Sequence, residues 1–229
     1  MSDRDASAVT TQELLVWAEA LSGIARTGLG FSEVQYERER YEEVLAIAAD
    51  IRARVEGEPS VRFHSEWLRT IGRGVSGYVT PKVAIGAVVG DDEGRLLLIQ
   101  RSDSGVWLYP TGWADIGYSP AEVAAKEVLE ETGIRCEVVK PLAILDGLRQ
   151  GFSRIPLYSI VFLCRAVGGS LSPHPHECLD AGWFTRDNLP SPLASFDRWG
   201  DLAFRAIAGE AIEAEFDLPR EPVWRGGDD

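Results

Sequence analysis

Gly112 to Ile134 reads GWADIGYSPAEVAAKEVLEETGI, and three of its carboxylates, Glu127, Glu130 and Glu131, fall three and four residues apart in a helix-like segment. Side chains at those spacings share one face. Like charges so placed repel, and an ordinary surface helix alternates them with lysine. Oxygen ligands crowded on one face are what a hard divalent cation such as Mg²⁺ or Mn²⁺ needs. An isolated Glu-rich face is ordinarily just solvated, so the reading depends on its surroundings.

The helix is well specified. Ser119 sits where an N-cap would, Pro120 at the first helical position and Glu122 three residues after the cap. Ala121, Ala124, Ala125, Val128 and Thr132 form a mostly small, apolar stripe. At roughly 100° per residue the stripe points away from the three carboxylates, leaving them to face a cleft. Glu122 reads as a first-turn charge favoured by the helix dipole, and Gly133 supplies the stop. Residues 110–117 read as a loop, with Gly112 and Gly117 allowing close backbone approach.

The wider pattern resembles the signature box of the Nudix hydrolases. That box runs Gly, five residues, Glu, seven residues, then Arg-Glu-hydrophobe-any-Glu-Glu-any-Gly-hydrophobe. Gly112, Glu127, Val128, Glu130, Glu131, Gly133 and Ile134 match in register, while Tyr118 replaces the first Glu and Lys126 the Arg. The resemblance implies an α/β fold, the α/β/α sandwich of that family.

Composition agrees. The chain has 229 residues and 45% apolar content, enough for a Nudix-sized core and something smaller. A net charge of −13 argues against a nucleic-acid backbone as main partner. It does not exclude a phosphate substrate, because bound metal inverts the local field. No apolar run approaches ~18–20 residues, so no membrane span is expected, and MSDRDASAVTTQ lacks a signal-peptide core. Cys136, Cys164 and Cys178 lack metal-pair spacing and read as apolar fillers in a reducing compartment. A cytoplasmic location is the expectation.

The chain divides near residue 80. Residues 1–10 read as a disordered tail and 11–78 as an all-helical N-terminal domain. In that domain Leu14, Trp17, Ala18, Leu21, Ile24 and Ala25 repeat at helical spacing up to Gly28, and Tyr36 to Val55 reads as a second helix. A shorter amphipathic piece runs from Phe63 to Ile71, and Gly72, Gly74 and Gly77 form a linker. Three short helices make a thin core, so further burial against another domain or chain is expected. Residues 79–217 read as the hydrolase domain and 218–229 as a frayed tail. VAIGAVVG and RLLLIQR flank Asp91-Asp92-Glu93-Gly94 as a hairpin. CEVVKPLAIL, PLYSIVFLCRAV and CLDAGWF read as strands, and Phe196 to Ala208 as a closing helix.

The N-terminal part carries a second resemblance. WAEALSGIARTGLGFSEVQYERERYEEVLAIAADI, followed by SGYVTPKVAIGAVV, is similar to the small helical domain before one Nudix branch, the hydrolases of X-linked nucleoside diphosphates. CDP-choline and ADP-ribose pyrophosphatases lie within that branch. The resemblance implies a homodimer built through these helices. It also makes Glu127 and Glu131 direct ligands of Mg²⁺ or Mn²⁺, with the Gly112 carbonyl nearby and Glu130 a third ligand or one acting through water. Lys126 takes the place of the box's Arg and holds a carboxylate as a point charge. The general base comes from the box, where Glu130 is the candidate, or from a later loop, where Glu177 is. Arg101 is a candidate phosphate contact, Arg149 and Arg154 weaker ones, and Trp113, Tyr118 and Phe152 candidates for stacking on a base. Packing or solvated roles compete for each. His174 and His176 do not make a metal site by spacing alone. Two function classes stay open: metal-dependent hydrolysis of a nucleotide diphosphate bond, and a Nudix-like sensor without turnover. Tyr118 favours the second, and the three clustered carboxylates favour the first.

Overall fold

The computed structural model describes residues 9–71, 79–115 and 117–220. The expected tail up to Ala8, the linker glycines Gly72, Gly74 and Gly77, and the chain end from 221 lie outside the described residues. The chain forms two units, one of residues up to Lys82 with Gly147–Leu157 and one of Val83–Asp146 with the chain from Tyr158.

The first unit is built on α1 (Thr11–Phe31), α2 (Gln35–Glu56) and α3 (Ser60–Arg69). Thr10 and Glu13 form a reciprocal capping box at the start of α1. The buried face of α1 is Leu15, Ala18, Glu19, Ser22, Ala25 and Leu29, rotated from the expected stripe, and Ile24 is 61% exposed. The cause is ionic. Glu19 pairs with Arg52 of α2 inside the unit, and Arg52 also reaches Glu56 at 3.0 Å. The Arg52 guanidinium lies 4.8 Å from the Phe63 ring centre and 5.8 Å from that of Trp67. A buried carboxylate needs such a partner, and the pair lets Glu19 share the buried face with Leu15, Ala18 and Leu29.

Helix α1 does not stop at Gly28. A β-carbon there would overlap the Tyr41 ring, so this glycine serves helix–helix contact and not termination. Leu45, Phe63 and Trp67 are buried within the unit, so the three helices close more core than expected. Arg154 and Phe152 belong to the returning segment with α5 (Gly147–Gln150), whose Leu148 carbonyl accepts from the Gln12 side chain.

The second unit starts with β1 (Lys82–Gly90) and β2 (Leu96–Arg101). Asp91 holds their turn by accepting from the Glu93 and Arg95 N–H groups at 3.0 and 2.8 Å. Every residue from Ile85 to Gly90 is buried, the pattern of a strand covered on both faces. The unit continues through β3 (Trp107–Leu108), β4 (Thr111–Trp113), α4 (Pro120–Thr132), β5 (Ile134–Asp146) and β6 (Leu157–Gly169). It ends with β7 (Cys178–Phe184), α6 (Phe196–Ile207) and β8 (Glu215–Phe216). The sheet order is β3-β2-β1-β6-β5-β8, with β4 on β1 and β7 on β2. Strand β1 runs antiparallel to β2 and β4, β2 to β3 and β7, and β5 to β6, while β5 and β8 are parallel.

Alternate side chains fill two cores. Ile85, Ala87, Val89 and Leu97 meet Val123, Ala124 and Val128 of α4 on one face. Val88, Leu96 and Leu98 meet Ala203 and Ala206 of α6 on the other. This is the expected α/β/α sandwich. The expected loop 110–117 is corrected in part, since Thr111–Trp113 pairs with β1 at Ile85↔Gly112. Cys136, Cys164 and Cys178 are free thiols, the last two buried.

Helix α4 begins on the Ser119–Glu122 capping box and ends at Gly133, whose φ of 74° is left-handed. A β-carbon there would stand 2.6 Å from the Ser170 carbonyl oxygen. Gly133→Ala is therefore expected to lower the unfolding free energy by more than about 1 kcal/mol, read as a drop in urea midpoint. An unchanged midpoint would contradict this account of the turn.

Candidate active site

The three carboxylates of α4 are not equivalent, which corrects the reading of one shared face turned to a cleft. Val123, Ala124 and Val128 bury the helix against the sheet, and β4 lies along the flank that carries Glu127 and Glu131. The Glu131 side chain is buried, its Oε2 accepting from the Thr111 N–H at 2.9 Å. Glu127 lies against Gly112, where a β-carbon would overlap its carboxylate. The close approach to a strand is thus built with the one residue that permits it. Glu130 turns outward, half exposed, to the Lys126 ammonium at 2.9 Å.

Lys126 gathers charge from both sides. Its Nζ stands 3.1 Å from Asp115 and 3.7 Å from Glu127. Hydrogen bonds to Glu130 and Asp115 raise its pKa above the ordinary lysine value. Asp115 carries no sign of this partnership in the sequence. The spacing rules for a helix do not reach a residue on the preceding loop.

Beyond β6 the chain folds back on the end of α4. The Ser172 N–H donates to the Thr132 carbonyl at 2.8 Å, and the His174 N–H to the Glu131 carbonyl at 3.2 Å. These contacts satisfy carbonyls that a helix end leaves without partners. The Glu177 and Cys178 N–H groups both donate to the His174 carbonyl, and the Glu177 carbonyl accepts from the Ser102 N–H at 2.9 Å. Glu177 is thereby brought close enough for its charge to act on Glu127 and Glu131. Arg101, opposite Cys178 in the β2–β7 register, also acts on Glu131 while paired with Asp103 at 2.7 Å.

Burial is the main cause that lifts the Glu131 pKa from 4.5 to about 8, with Glu127 and Glu177 adding repulsion and the Thr111 N–H and Arg101 opposing. Burial also raises Glu127, against Lys126. Among the described residues no three His, Cys, Asp or Glu side chains stand gathered round one point. The donor set still fits a hard divalent cation: two under-compensated carboxylates against a glycine backbone, all oxygen.

Of the other candidates, Trp113 and Tyr118 are exposed at the end of β4 and just before α4. Arg149 lies in α5, which belongs to the first unit. Among the described residues no helix is long and apolar enough to cross a membrane.

A NUDIX domain model matches residues 80–201. The chain belongs to the Nudix hydrolase family. Residues 12–62 match a second family, described as the UDP-X-like, N-terminal oligomerisation domain. This Nudix hydrolase is 34% identical over 180 residues to Bacillus subtilis (strain 168) YjhB, provisionally named an ADP-ribose pyrophosphatase, covering 77% of this chain and 82% of that protein. The crystal structure of an ADP-ribose pyrophosphatase from Streptococcus suis 89-1591 is similar with a TM-score of 0.52 and 33% identity, over 60% of this chain and 100% of that one. The crystal structure of a UDP-X diphosphatase is similar with a TM-score of 0.55 and 25% identity, over 91% of this chain and 100% of that one.

A raised carboxyl pKa has a sign that can be tested. The folded chain holds the Glu131 proton more tightly than the unfolded chain does, so the contribution of this group to stability falls as pH rises from about 4.5 to about 8 and then levels. In EDTA, Glu131→Gln is expected to melt higher than the natural chain above about pH 8, and the gap should close toward pH 4. A variant that melts lower throughout would contradict the burial of an uncompensated charge.

Proposed function

We propose that this Nudix hydrolase uses a divalent cation to cleave the diphosphate bond of a nucleoside diphosphate linked to a second group X. ADP-ribose and CDP-alcohols are the substrate types. The products are a nucleoside monophosphate and phosphorylated X. The observation that carries the reading is the buried pair Glu127 and Glu131, set against Gly112, with the charge of Glu177 acting on both. The names of the similar proteins favour ADP-ribose within the substrate class.

Glu127, Glu131 and the Gly112 carbonyl would hold Mg²⁺ or Mn²⁺, with Glu130 at the rim. A cation held there supplies concentrated positive charge against the diphosphate. Lys126 keeps Glu130 and Asp115 in place and limits repulsion along α4. Arg101 exchanges part of its Asp103 pairing for a phosphoryl oxygen. Glu177 takes a proton from the attacking water as its oxygen bonds to phosphorus and the bridging P–O bond breaks. Trp113 and Tyr118 offer exposed rings for a base or for X.

A nucleotide panel assayed with Mg²⁺, Mn²⁺ or EDTA tests this. ADP-ribose or CDP-alcohols are expected to exceed nucleoside triphosphates in kcat/KM, with no turnover in EDTA. Glu131→Gln is expected to lower kcat at least ~100-fold, the scale of losing one transition-state electrostatic contact, without unfolding the chain. A tenfold preference for triphosphates, or a fully active variant, would contradict the proposal.

The division into a helical domain over 11–78 and a hydrolase domain over 79–217 goes with a proposed homodimer through the helices. Ile24, Phe31, Tyr36, Ile47 and Val61 leave apolar surface exposed on the helical unit, and a twofold pair is the commonest cover for such a surface. Light scattering should return about twice the 25.1 kDa chain mass, and a mass near 25.1 kDa would reject the dimer.

A further inference from the structure

The His174 ring stands in the loop that caps α4, and its Nδ1 is shielded from solvent with no hydrogen-bond partner. A buried ring nitrogen without a partner is disfavoured. Glu177 Oε2 lies 3.8 Å away, too far for a hydrogen bond and within reach of a side-chain rotation. The backbones of both residues are pinned. The His174 N–H sits on the Glu131 carbonyl, the His174 carbonyl takes the Glu177 and Cys178 N–H groups, and the Glu177 carbonyl takes Ser102. The ring is further braced edge-on by His176, with centroids 6.0 Å apart. The direction of the half-exposed Glu177 carboxylate is therefore left to its own side-chain torsions.

We propose that His174 is a positioning residue, whose Nδ1–H donates to the Glu177 carboxylate and holds it on the side of the loop that faces Glu127 and Glu131. This rests on the reading of Glu177 as the group that takes the proton from the attacking water. Without the imidazole the carboxylate samples solvent, and the fraction of time it spends aligned with the water falls. Misplacement of a reacting group lowers turnover and leaves substrate affinity largely alone.

The test uses the full chain and whichever compound of the nucleotide panel it hydrolyses with Mg²⁺. His174→Phe keeps a ring and removes the donor. It is expected to lower kcat about 10- to 100-fold with KM within about twofold and melting temperature little changed. His174→Asn, whose amide nitrogen can fall where Nδ1 stands, should recover most of the loss. Adding His174→Phe to Glu177→Gln should cost nothing beyond Glu177→Gln alone. Separately, ¹⁵N spectra of the imidazole should show a protonated Nδ1 that shifts on Glu177→Ala. Full kcat in His174→Phe beside an impaired Glu177→Gln would overturn the positioning role, as would an Asn variant no better than Phe. Full kcat in Glu177→Gln would overturn the proton-accepting role of Glu177. An Nδ1 resonance indifferent to Glu177→Ala would then overturn the His174 contact as well.

Discussion

Two carboxylates withdrawn from water where α4 runs along β4 are the constraint on which the rest of the second unit depends. Removing Glu127 and Glu131 from solvent disfavours their charged forms, and the compensation within the chain is incomplete. One backbone N–H, from Thr111, and the charge of Arg101 act on Glu131. Lys126 acts on Glu127 from 3.7 Å. A helix would not hold such a flank unless its other faces were fixed. Val123, Ala124 and Val128 fix them in the core, the Ser119 capping box secures the start, and Gly133 with the Ser172 and His174 N–H groups secures the end. Buried carboxylates that the chain leaves under-compensated keep their protons more tightly until a cation takes their place.

The surrounding charges fall into two layers. Glu127 and Glu131 face inward, while Lys126 joins Glu130 and Asp115 at the rim. An ammonium is suited to that rim because it is a compact point charge that can serve several carboxylates at once. The first unit uses a guanidinium instead, one nitrogen to each of two carboxylates. Arg52 reaches Glu19 and Glu56 while lying over Phe63 and Trp67, where planarity lets one group serve both carboxylates and rings.

Helix α4 was legible nearly to the residue because its signals are local: a cap, a proline at the first position and a glycine at the end. The strands VAIGAVVG and PLYSIVFLCRAV were legible through their length and apolar content. Strands of two or three residues, such as Trp107–Leu108 and Thr111–Trp113, are too short to show a period. The burial of Glu131 was hidden for a different reason. Periodicity puts the three carboxylates on one face, and partners far along the chain, the Thr111 N–H twenty positions away and the charge of Arg101, offset the burial of Glu131. The α1 face was misjudged in the same way, because Glu19 is buried by Arg52, thirty-three positions on. The approach of the Glu177 loop to the end of α4 depends on chain reversal after β6, where the His174 N–H reaches the Glu131 carbonyl, and the glycine at 133 is a local sign of it.

Calorimetric titration of Mn²⁺ into the metal-free chain near neutral pH, repeated in buffers of different ionisation enthalpy, tests the central claim most directly. Glu131, held near a pKa of about 8, is mostly protonated there. Cation binding should therefore release close to one proton per site, and Glu131→Gln should weaken binding and abolish the release. Binding without proton release, or equal binding by the variant, would contradict a site organised round this buried carboxylate.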